Sequence, residues 1–193
     1  MTIVIIIGAI ILLLILFAMQ DAKNTVTGLC PKCNTKIGLR KGIGCCGKCG
    51  EPLKSDGGKF VSVEPGLVSD NFSFSVSMAK LKNPKKWQTT RQGRCCICGS
   101  TAAKTQSVNV KTISGSAGPL LGPHTNFTES TKFEVGYCAA HRDGIKFLYP
   151  PGFGNAKRTE QCFLYFRSVD FYREFMKQNA IWGGTIELEP ELT

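Results

Sequence analysis

Cys30-Pro31-Lys32-Cys33, followed after twelve residues by Cys46-Gly47-Lys48-Cys49, decides how the first part of this chain folds. Paired C-x2-C units about a dozen residues apart place four sulfurs on two adjacent tight turns, which is how tetrahedral zinc is usually closed. Each turn wants, after its second Cys, a residue that tolerates positive φ, so that backbone amides can point at the sulfurs. Asn34 and Gly50 stand at those positions. Cys45, next to Cys46, reads as a spare thiol; a register in which it replaced Cys46 would need C-x3-C spacing to Cys49. Thiol redox chemistry also uses C-x-x-C, but on a helix start after a strand, a context that Pro31 and Gly47 do not suggest.

Carried by Cys30, Cys33, Cys46 and Cys49, residues 28 to 54 resemble the zinc-ribbon family. The resemblance implies a small β-hairpin module stapled by one structural zinc. Zinc ribbons serve nucleic-acid, protein and purely architectural roles alike, so the likeness does not choose a function.

Working outward, Arg94-Cys95-Cys96-Ile97-Cys98-Gly99 repeats the knuckle, and forty residues beyond Cys98 come Cys138-Ala139-Ala140-His141. Cys95, Cys98, Cys138 and His141 form a Cys3His set that suits a second structural zinc. The long spacing requires the chain between the halves to fold out and back. Thr105 to Ile113 and Lys132 to Tyr137 alternate apolar and polar residues as half-buried strands do, with the Gly- and Pro-rich stretch Ser114 to Asn126 between them. Asp143 beside His141 is either a group orienting the ligand or a surface turn residue. His124 has no ligand spacing, and Cys45, Cys96 and Cys162 are left over as thiols without an assigned role.

Ten cysteines in 193 residues are far above ordinary usage, and the formal charge of +10 invites nucleic acid or an anionic membrane surface as a partner. Zinc held by four thiolates leaves its site at −2, and by three thiolates and an imidazole at −1, so filled sites would lower the charge to about +7. No charged residue occurs from Ile3 to Met19, which predicts a transmembrane helix over 1–19, without the basic start and small-residue cut site of a cleaved leader. Lys23, Lys32, Lys36, Arg40 and Lys41 follow that run, predicting an N-terminus outside and a cytoplasmic C-terminal region, with the lipid bilayer and anionic headgroups as partners.

Lys59 to Val63, Phe72 to Met78 and Cys162 to Arg167 read as further strands. Val169, Phe171, Tyr172, Phe175 and Met176 are near helical spacing over Val169 to Ala180. The expected organisation is a small α+β protein: anchor 1–19, linker 20–27, zinc ribbon 28–54, strands and basic linker 55–94, a mixed strand and helix domain with its own zinc over 95–186, and an acidic tail 187–193. No carboxylate pair, nucleophile elbow, phosphate loop or HExxH marks an enzyme; the glycines of 115–122 and 152–154 lack a phosphate loop's context. The expected role is a membrane-anchored, zinc-binding binding or scaffold module for an unidentified protein partner. The alternatives are nucleic-acid binding, through the basic stretch Lys80 to Lys104 with Trp87 stacking on a base, and a zinc enzyme with an open coordination position.

Overall fold

A computed structural model describes residues 6–7, 24–88, 91–117, 125–148 and 162–181. Ten β-strands, two short 3-10 turns and one α-helix make up the described residues. The chain divides into two compact units between Val63 and Glu64.

In the first unit, β1 (Thr25–Leu29) pairs antiparallel with β2 (Lys36–Arg40), and β3 (Ile43–Cys45), β4 (Pro52–Asp56) and β5 (Lys59–Ser62) form a three-stranded sheet in the order β3-β4-β5. The first knuckle caps the β1–β2 hairpin and the second caps β3–β4. Asp56 and Lys59 pair across Gly57 and Gly58, whose φ values of 54° and 82° make the tight two-residue turn that matches strand twist. Cys30, Cys46, Leu53 and Phe60 are the buried core, with Val26, Cys33, Ile37, Leu39 and Cys49 packed around it. Two of the four core members are therefore metal-ligand candidates. A side chain at Gly28 would meet the Phe60 ring at 3.1 Å, so a larger residue there would require that ring to shift by a few tenths of an ångström.

The second unit contains β6 (Phe74–Ser77), the long hairpin β7 (Lys104–Ala117) and β8 (Thr125–Tyr137), β9 (Ile145–Leu148), β10 (Phe163–Phe166) and helix α1 (Val169–Asn179). β10 is central, flanked antiparallel by β6 and β9. Ser168 caps α1 by accepting from the Phe171 amide. Phe171, Tyr172 and Phe175 turn one face of α1 onto Phe166, at centroid distances of 5.9, 5.4 and 5.2 Å. That aromatic face is the core, as the helical spacing implied.

The expected α+β chain headed by a membrane helix is corrected. The regular structure among the described residues is mostly strand, and no helix among them is long and apolar enough to cross a membrane. α1 is 11 residues long, about 17 Å at 1.5 Å per residue, and carries Asp170, Arg173, Glu174 and Lys177. Apart from Ile6 and Ile7, the anchor expected over 1–19 lies outside the described residues, as do Lys23, His124, the glycines of 152–154 and the tail 187–193. The single-pass localisation with a cytoplasmic C-terminal region is withdrawn with the fold class.

Candidate metal centres

Three knuckles share one backbone pattern. The amide four residues after the first Cys returns to that Cys carbonyl: Asn34 to Cys30, Gly50 to Cys46 and Gly99 to Cys95, each at 2.9 Å. The amide of the first Cys in turn reaches the carbonyl five residues on, at Thr35, Glu51 and Ser100, over 2.9, 2.8 and 2.7 Å. Closing both bonds forces the intervening residue into the left-handed region, and Asn34, Gly50 and Gly99 have φ of 56°, 72° and 77°. The Cys138 half is built differently: the His141 amide reaches the Cys138 carbonyl at 3.3 Å, and positive φ falls on Asp143, at 54°. Asp143 is exposed, which fits its reading as a turn residue.

Cys30, Cys33, Cys46 and Cys49 bring four sulfurs together, and Cys95, Cys98, Cys138 and His141 bring three sulfurs and a nitrogen; within each group all ligand atoms lie within 4.8 Å of one another. Tetrahedral zinc with Zn–S bonds of ~2.3 Å sets sulfurs about 3.8 Å apart, and Zn–N of ~2.0 Å shortens an S···N edge to about 3.5 Å. In the first cluster Cys30–Cys49 and Cys33–Cys46 are each 3.7 Å apart. In the second, Cys98–Cys138 is 3.8 Å, and His141 Nδ1 stands 3.7 Å from Cys95 and 3.2 Å from Cys138. These separations fit the edges of a zinc tetrahedron and far exceed a disulfide bond, and none of the ten cysteines forms a disulfide. Each cluster could therefore bind one structural zinc ion. Cys45, Cys96 and Cys162 belong to neither cluster.

The sulfurs are not electrostatically alike. The Thr35 hydroxyl, with the Thr35 amide, lowers Cys33 to about 6, and Ser100 does the same for Cys98, also to about 6. At the equivalent place after Cys49 stands Glu51, which has no hydroxyl, and burial pushes Cys49 up to about 12. Burial also raises Cys30. A bound dication overrides such differences, since a coordinating thiol is deprotonated outright. The hydroxyl two residues after the second Cys is visible in the sequence at Thr35 and Ser100 and went unread.

The hairpin brings the halves of the second cluster together. Lys104 pairs with Tyr137 at its base, so Cys98, six residues before β7, meets Cys138, the residue after β8. Close packing holds them there. The Cys96 amide donates to the Gly136 carbonyl at 2.9 Å, and a side chain at Gly136 would strike the Arg94 carbonyl and, at 2.9 Å, Ala102. Behind the cluster, buried Cys96 is pushed up to about 12 by burial and lies against the Tyr137 phenol, which accepts from the Gly144 amide. Tyr137, Gly136 and Gly144 support the site, and nothing in their sequence spacing announced it.

In the basic stretch offered as an alternative nucleic-acid surface, three cations have partners within the protein. Arg91 makes a two-pronged ion pair with Glu174 at 2.8 Å, Lys85 pairs with Glu129 at 2.5 Å, and Lys82 reaches the Gln178 carbonyl at 2.8 Å. Trp87 stands edge-on to Phe133 and Phe175, at 5.5 and 5.2 Å, and its indole N–H donates to the Lys82 carbonyl at 2.7 Å. Asn179, fully buried at the end of α1, accepts from the Gln88 amide at 2.7 Å and donates to the Gln88 carbonyl at 3.2 Å.

Comparison with known proteins finds no matching family model, no matching curated protein and no matching solved structure.

Proposed function

We propose that this protein is a zinc-stapled binding module, holding one structural zinc in each unit, with the first unit a zinc ribbon. The carrying observation is that each cluster supplies four protein donors at tetrahedral spacing. A catalytic zinc keeps a position open for water or substrate, and four protein ligands leave none. Each zinc would tie two turns that the chain alone holds weakly, neutralise sulfurs that would otherwise repel as thiolates, and leave the surrounding surface for a protein partner. Trp87, half-buried and packed edge-on against Phe133 and Phe175 with its indole N–H engaged by the Lys82 carbonyl, is less suited to stacking on a base than a freely exposed ring.

The test is elemental analysis of the reduced full-length protein, with an expected content of two zinc ions per chain. Cobalt substitution distinguishes an all-sulfur set from three sulfurs and a nitrogen. Cys30→Ser and Cys98→Ser should each remove one ion, and His141→Ala should match Cys98→Ser. Full zinc content in the His141→Ala variant would remove the imidazole from the ligand set.

A further inference from the structure

The two clusters differ in what shields them. In the first, Cys30 is 0% and Cys46 2% exposed, both in the unit's core beside Leu53 and Phe60, and Cys33 and Cys49 are half-buried, so none of its sulfurs is exposed. In the second, Cys95 is 0% exposed, but Cys98 is open to solvent and Cys138 half-buried. Those two sulfurs are 3.8 Å apart and come from separate turns, one before β7 and one after β8. The Cys95 sulfur lies within 4.8 Å of this pair but is fully buried, so solvent reaches Cys98 and not Cys95.

Resting on the metal reading above, we propose that the second cluster is a peroxide-responsive site, in which Cys98 and Cys138 join as a disulfide and release its zinc while the first cluster keeps its own. The Cys98 sulfur attacks one peroxide oxygen, the O–O bond breaks, and a sulfenic acid forms as the departing oxygen leaves as water after taking a proton. The Cys138 sulfur then attacks the sulfenic sulfur, the S–S bond forms, and the hydroxyl leaves as a second water with a second proton. The two sulfurs together lose two electrons and the peroxide gains them. Cys95 and His141 remain, two donors that cannot close a tetrahedron. The first cluster reacts more slowly because it offers peroxide no exposed sulfur: Cys30 and Cys46 are buried, and Cys33 and Cys49 are half-buried where Cys98 is open.

The test uses the full chain, reduced and zinc-loaded, treated with hydrogen peroxide. Released zinc is followed with a chromophoric indicator and disulfides are mapped by peptide mass spectrometry. The expected result is one zinc leaving about tenfold faster than the other, in step with a Cys98–Cys138 disulfide. The Cys45→Ala variant should show the same release, since Cys45 belongs to neither cluster. Equal release from both clusters, earlier disulfides among Cys30, Cys33, Cys46 and Cys49, a Cys95–Cys98 bond as the first product, or loss of the fast phase in Cys45→Ala would each overturn the inference. A zinc content below two before peroxide is added would overturn the metal assignment itself, and this inference with it.

Discussion

The backbone amide of Gly144 donates to the phenol oxygen of Tyr137 across 2.9 Å, in a bond buried behind the second cluster. Tyr137 immediately precedes the candidate ligand Cys138, and Gly144 lies three residues past the candidate ligand His141, so this bond closes the loop that presents both donors. Tyr137→Phe leaves the Gly144 amide buried without an acceptor and should cost about 1–3 kcal/mol. The loss should appear in chemical denaturation of the second unit and as weaker zinc retention by that cluster in chelator competition. Unchanged retention would show that the loop is set by the metal alone.

Gly144→Ala tests the same contact by crowding. The new methyl would strike the Cys96 sulfur and meet Ile97 at 2.9 Å and Tyr137 at 3.3 Å, inside a packed region with little room to yield. Overpacking of this kind typically costs about 1–3 kcal/mol. Comparing the denaturation midpoint of the variant with that of the parent checks it.

Gly99→Ala isolates backbone strain, because the only neighbour near an added methyl is the Arg91 guanidinium at an ordinary 3.7 Å. At φ 77° alanine should cost about 1–2 kcal/mol. Gly99→Asn should recover part of that loss, since Asn34 occupies the equivalent place with φ 56°. Equal destabilisation by both substitutions, measured by denaturation, would contradict the equivalence of the knuckles.

Metal removal should separate the units. In the first, the ligands Cys30 and Cys46 supply half of the buried core, and small zinc modules draw on the order of 10 kcal/mol of folding free energy from the metal. The second has an aromatic core of its own in Phe74, Phe166, Tyr172 and Phe175. After chelation, amide exchange should lose all protection across residues 25–62 but keep it in β10 and α1. Retained protection in β4 and β5 would show that Leu53 and Phe60 suffice without zinc.

What could be read beforehand was local. The ligands were legible because C-x2-C spacing and a residue suited to positive φ are short-range demands. Val169 to Ala180 was expected as a helix and α1 ends at Asn179, since apolar spacing and the Ser168 cap sit within one stretch. Boundaries moved where pairing rather than pattern decided them. The hairpin continues to Ala117 and restarts at Thr125, taking in residues expected as loop, because each strand supplies the other's hydrogen bonds. β6 was expected over Phe72 to Met78 and spans Phe74–Ser77, but its partner is β10, nearly ninety residues later, and no local pattern names a partner at that distance. Trp87 is half-buried, edge-on to Phe133 and Phe175, which arrive from far along the chain, and its local sequence names neither contact.

The Lys104–Tyr137 pairing at the foot of the hairpin bears on how the protein is assembled in time. In the first unit the farthest ligands, Cys30 and Cys49, are nineteen residues apart, so a zinc ion can gather them through short loops. In the second, forty residues separate Cys98 from Cys138, and the hairpin must zip before they meet. Loop closure grows costlier with length and long pairings form late, so the first unit matures early while the second waits on its β ladder. During that interval Cys98 and Cys138 emerge as unpaired thiols, and a newly made chain is most open to capture by the wrong metal or the wrong cysteine.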